Sequence, residues 1–157
     1  MPMGVVRFHR ASLGVDPGEA DFVWGTVALS DNNRCFACGR ENPIGLKLEF
    51  REEGDEYVAE FVPREEHQGY VGITHGGIVA TLLDEAMAKM AWAKGLNAVT
   101  ARLAVTYKQP ARIGERLTVR GRIQTTRGRH CTCSAALTGQ ESGLIAEAEG
   151  TLLIIQE

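Results

Sequence analysis

No apolar run in the chain approaches the ~18 residues needed to span a bilayer. The opening residues, MPMGVVRFHRASLG, lack the long apolar segment of a secretory signal. Both absences lead us to expect a soluble cytoplasmic protein. No charge sign dominates either: the formal net charge is −3. Neither nucleic acid nor an anionic membrane is therefore expected as the main partner. No internal repeat or low-complexity tract stands out. In a reducing compartment the four cysteines read as free thiols or a metal site rather than disulfides.

What is present is enough for one domain. The chain has 157 residues, and 44% of them are apolar. Residues 1–33 show weak periodicity and read as an N-terminal extension, with a short helix or strand around FVWGTVAL. Residues 34–157 read as a single domain. In CFACGRENPIGLKLEF, a turn at 39–45 leads into alternation of Leu46, Leu48 and Phe50, expected as a half-buried strand. EYVAEFVP alternates again after Gly54, as a hairpin partner would. PREEHQGYVGIT is a polar loop, with Thr74 expected to cap a helix from Gly76 to Lys94 and Gly95 to stop it. Three long strand-like runs follow, separated by glycine-bearing turns and expected to give three or four strands. Gly121 and Gly150 fall inside them, where glycine marks a bulge or a close backbone approach. Strands on both sides of one helix imply an α+β domain with an antiparallel sheet covering that helix.

The stretch GITHGGIVATLLDEAM concentrates the chemistry. Val79, Leu82, Leu83, Ala86, Met87 and Met90 form one wide apolar arc. Glu85 and Lys89 lie opposite, spaced as a surface ion pair. Asp84 sits at the margin of the arc on one stripe with Gly77, Thr81 and Ala88, with Ala80 and Ala88 at the positions where a basic partner would stand. An unpaired carboxylate at a core boundary is costly unless something uses it; the plainer reading is an aspartate facing water. A helix N-terminus offers unpaired N–H groups and partial positive charge, and glycines let a ligand oxygen approach them closely. Such an arrangement holds a developing oxyanion, although paired glycines also serve plain tight turns.

His75-Gly76-Gly77, then Asp84 seven residues on, then TARLAVTYKQPARIGE, resembles the hotdog-fold acyl-CoA thioesterases, in particular their PaaI-like branch. CFACGRENPIGLKLEF also resembles an N-terminal strand of that branch. The resemblance covers roughly residues 35–155. It implies an antiparallel β-sheet wrapped around a long central α-helix. It also implies a homodimer, or a tetramer built from it, with sites across the subunit interface, where Trp92 would be an interface residue. Asp84 would be the catalytic carboxylate, acting as general base or nucleophile. Gly77 would be the oxyanion donor, with His75 and Gly76 shaping the turn and Thr100 helping to orient water. Gln68 or His67 would replace an amide that many relatives carry, and Thr81 would line the substrate. The coenzyme A phosphates would meet basic residues, with Arg102, Lys108, Arg127 and Arg129 as candidates.

Cys35-x-x-Cys38 has a zinc-ligand spacing, and Cys131 with Cys133 would complete a four-cysteine site. A Cys-x-Cys strand is a tight chelate, however, and hotdog enzymes need no metal. Buried free thiols, and no cofactor beyond substrate coenzyme A, are therefore expected. The leading expectation is acyl-CoA hydrolysis. The alternatives are a non-catalytic acyl-CoA binder or sensor, and a dehydratase with His75 in the pocket.

Overall fold

A computed structural model describes residues 29–155. Most of the N-terminal extension, with FVWGTVAL up to Ala28, lies outside the described residues. Eight strands and one long helix follow in order: β1 Arg51–Glu53, β2 Glu56–Phe61, β3 Gln68–Tyr70, β4 Ile73–Thr74, α1 Gly76–Ala93, β5 Ala98–Tyr107, β6 Leu117–Arg127, β7 His130–Gly139 and β8 Gly143–Ile154. Six of these strands make one antiparallel sheet in the order β1-β2-β6-β7-β8-β5. The small ribbon β3–β4 leads into the helix. No helix among the described residues is long and apolar enough to cross a membrane.

The helix forms where its apolar arc predicts. Val79, Leu82, Leu83, Ala86, Met87 and Met90 are all buried, facing Leu117, Val119, Leu137, Ile145 and Leu152 of the sheet. Gly95 ends it with φ +77°, and the Leu96 N–H reaches back to Ala91 O (3.0 Å). Gly121 and Gly150 are close approaches, as expected. A Cβ on Gly121 would stand 2.7 Å from the Ala86 carbonyl, and one on Gly150 would stand 3.0 Å from Met87 Cε. The sheet can therefore curl tightly over the helix.

Three local expectations are corrected. Leu46 and Leu48 are buried, but their stretch pairs with no strand: the Leu46 N–H donates to Phe36 O (2.8 Å) and the Leu48 N–H to Ala37 O (2.9 Å). Their alternation records which side faces the core, not a ladder. The helix cap is His75 rather than Thr74, because Thr74 is turned inward and buried while the His75 ring accepts from the first turn. The third concerns Glu85. It is half-buried, and Lys89 pairs with Asp31 (3.6 Å) instead.

Candidate active site

Two features built by α1 face open space. At its start, the Gly77 N–H donates to His75 Nδ1 (2.9 Å), and the Ile78 and Val79 N–H groups turn to His75 O (2.9 and 3.2 Å). Gly76, the first helical residue, has no helical acceptor for its N–H. Its carbonyl accepts from the Tyr107 hydroxyl (2.8 Å). Around it lies a mainly apolar cavity of about 480 Å³, walled by Tyr70, Ile73, His75, Val79 and Tyr107. Gly77 does not line this cavity. The histidine cap takes the Gly77 N–H, whereas Gly76 lines the cavity with its N–H free of any helical acceptor. Sequence reasoning missed Tyr107, whose hydroxyl reaches the helix start from the end of β5; its place in a strand alternation carried no sign of that.

Halfway along α1, half-buried Asp84 accepts a hydrogen bond from Thr100 Oγ1 to its Oδ1 (2.8 Å). Among the described residues no cation pairs with Asp84. Thr100 reaches it from β5 next to an irregularity. Thr100 pairs with Leu152 and Arg102 with Thr151, leaving Ala101 as an extra residue. Such a bulge re-aims the side chains beside it.

The remaining sequence candidates scatter. His67 is buried against Phe61 (ring centroids 5.1 Å); its Nδ1 accepts from the Arg64 N–H (3.0 Å), and its carbonyl accepts from the His75 N–H (2.8 Å). Burial first, then Arg64, holds its pKa below the usual 6.5, and its two hydrogen bonds brace the segment that leads into the helix. Gln68 Oε1 closes the β3–β4 turn on the Gly72 N–H (3.3 Å). Thr81 Oγ1 donates back to Gly77 O (2.8 Å). Lys108 borders the Gly76 cavity and pairs with Glu147 (3.1 Å). Arg102 is exposed on β5. Arg127 and Arg129 belong to the opposite end of the sheet: Arg127 aligns through His130 and Leu153 with Val99, whereas Tyr107 aligns with Ala146. Eight strand residues, roughly 25 Å, separate those levels. Within one chain this arginine pair does not reach the Gly76 cavity.

Gly76 and Asp84 are also apart. Eight helical steps place them roughly 12 Å from each other along α1. One carbonyl carbon cannot touch both in a single chain.

A sheet curled around one long helix, with a glycine-led helix start and a carboxylate midway, defines the hotdog class. A model of the thioesterase superfamily matches residues 71–146. The chain is 32% identical over 100 residues to acyl-coenzyme A thioesterase 13 of Mus musculus, covering 62% of this chain and 71% of that protein. A putative esterase of Archaeoglobus fulgidus is 29% identical over 98 residues, covering 62% and 64% respectively. A hypothetical thioesterase of Streptococcus pneumoniae, solved with coenzyme A, superposes with a TM-score of 0.65 at 22% identity, over 70% of this chain and 87% of that one. The Escherichia coli PaaI protein of the phenylacetic acid degradation operon gives 0.65 at 18% identity, over 69% and 83%. The chain belongs to the thioesterase superfamily, a family of thioester hydrolases.

Proposed function

We propose that the protein hydrolyses acyl-CoA thioesters in a site shared between two copies of the chain. The observation that carries this is the Thr100–Asp84 hydrogen bond, which aims a carboxylate that no cation among the described residues neutralises. The acyl-CoA substrate class is supported by the name of the mouse relative and by the coenzyme A in the Streptococcus pneumoniae structure.

In this reading the thioester carbonyl sits in the apolar cavity with its oxygen on the Gly76 N–H. Charge that develops there on attack is held by that donor and by the positive end of α1. Asp84 comes from the second copy, because its own chain places it too far away. With Oδ1 taken by Thr100, Oδ2 is left to accept a proton from one water, which attacks the carbonyl carbon. The tetrahedral adduct collapses, the C–S bond breaks, and the proton held by Asp84 passes to the departing sulfur, so that coenzyme A leaves as the thiol. β5 supplies the route to assembly. Its ten residues form a sheet edge whose outer side is unpaired among the described residues, and Thr100 lies on it. Antiparallel self-pairing there would bring two copies of α1 side by side.

Thiol release across an acyl-CoA panel tests the activity. Asp84→Asn should lose at least about a hundredfold in turnover. Full activity in that variant ends the mechanism, and binding without release from any acyl-CoA would instead mark a non-catalytic binder. A single turnover in heavy-oxygen water separates the routes. Label in the first product acid supports general-base attack by water; an unlabelled first product, with the label left in Asp84, would establish an anhydride.

A further inference from the structure

We infer that Cys35, Cys38 and Glu85 form a binding site for a divalent soft cation, zinc above all, on the face of α1 away from the Gly76 cavity. The donor atoms of these three residues all lie within 4.8 Å of one another. The Cys35 Sγ stands 3.8 and 3.9 Å from the two Glu85 carboxylate oxygens. Zinc–sulfur bonds of about 2.3 Å and zinc–oxygen bonds of about 2.1 Å at a tetrahedral angle would set these atoms about 3.6 Å apart. The site therefore needs only a small closure to take the ion. Two thiolates with one carboxylate favour zinc over calcium or magnesium, which prefer all-oxygen shells.

The backbone holds the thiols ready. Cys35-Phe36-Ala37-Cys38-Gly39 is a tight turn closed by the Gly39 N–H on Cys35 O (2.9 Å). A Cβ at Gly39 would stand 2.4 Å from Cys35 N, so only glycine fits the turn. Behind it, Lys47 adopts a left-handed φ of +60° and its ammonium donates to the carbonyls of Gly39, Arg40 and Asn42. A left-handed lysine is costly and persists only when its surroundings fix it. Here it braces the turn that carries both cysteines.

Charge and access also fit. Zinc with two thiolates and one carboxylate leaves a single negative charge, and the Lys89 ammonium lies beside Cys38 to offset it. A cleft of about 380 Å³ bordered by Asp31, Lys89 and Trp92 opens onto the cluster and gives a fourth ligand, a water, its place. Cys131 and Cys133 stay outside this group. They are fully buried on β7 with their sulfurs 3.6 Å apart. The four-cysteine site conceivable from sequence is replaced by two cysteines and the carboxylate of α1. The ion would fasten the 35–48 segment to the helix beside Asp84.

The test uses the full chain, stripped by chelator and titrated with cobalt(II), then zinc. One cobalt per chain should bind with thiolate-to-metal charge-transfer absorption and tetrahedral ligand-field bands, and zinc should displace it. Zinc should also protect the two accessible thiols from a thiol reagent. Cys38→Ser should weaken zinc by at least about a hundredfold and Glu85→Gln by at least about tenfold, since losing even a residue that supports a ligand costs that much. Cys133→Ala should bind as the unmodified chain does. Cobalt bound without charge transfer, thiols left unprotected by zinc, or undiminished affinity in folded Cys38→Ser each overturns the site. If Cys38→Ser does not fold, thiol protection in the unmodified chain decides. None of these readouts depends on thioester hydrolysis.

Discussion

Thr100 Oγ1 donates to Asp84 Oδ1 at 2.8 Å, tying the sheet edge to the middle of the helix it wraps. A hydrogen bond to a charged group is worth about 1.5–3 kcal/mol. If it aims the carboxylate in the transition state, Thr100→Val should lower kcat about tenfold to a hundredfold with KM little changed. Thr100→Ser should recover most of the loss. Equal falls in both variants, or a rise in KM alone, would remove Thr100 from the chemistry.

The separation of Gly76 and Asp84 makes a mixing experiment decisive. Proline is well suited to the first helical position, where it deletes only an N–H. His75, with φ −59° and ψ 133°, already has the conformation a following proline demands. Gly76→Pro and Asp84→Asn should each be nearly inactive. Co-refolded in equal amounts, they should regain about a quarter of normal activity, since half the dimers are mixed and each holds one intact composite site. No recovery would overturn the composite site.

Glu115 offers a pH prediction away from the site. Its Oε1 accepts from the Glu141 N–H (3.0 Å), the Ser142 N–H (2.8 Å) and the Ser142 hydroxyl (2.7 Å). Burial raises its pKa, but the Ser142 and Glu141 bonds and Arg112 outweigh that and bring it below the usual 4.5. A depressed folded pKa stabilises the protein above the unfolded value, and that stability is lost as pH falls through the folded value. Melting temperature should therefore drop in acid below about pH 4.5. Glu115→Gln should cost about 1–2 kcal/mol at pH 7 and flatten that acid decline. An unchanged slope would show that the charge contributes nothing.

Two glycines that look alike in sequence should behave differently. Gly121→Ala drives a methyl into the rigid Ala86 backbone and should destabilise by about 1–3 kcal/mol. Gly150→Ala meets the flexible end of Met87 and should cost visibly less. Denaturant melts of both variants check the order.

The helix, its buried face and the close approaches at Gly121 and Gly150 were legible because apolar periodicity and the missing Cβ act locally. Asp84 was legible for a similar reason: no basic residue stands one turn away. The Tyr107–Gly76 contact was not, because it joins residues 31 apart through strand register. Glu85 misled because a helical wheel shows the helix alone. The face opposite its core is covered here by the Cys35–Cys38 turn, so a carboxylate spaced to meet Lys89 turns to a thiol instead. His75 as cap was hidden because its ring nitrogen does the work usually left to a hydroxyl or carboxylate.

β5 carries Thr100 within a ten-residue strand whose outer side is unpaired among the described residues. On the composite reading, the residue that aims the acid sits on the strand that would join two copies. Competence then becomes a matter of concentration. A lone chain would leave thioesters intact however well folded it is, and specific activity should fall on dilution in step with dissociation.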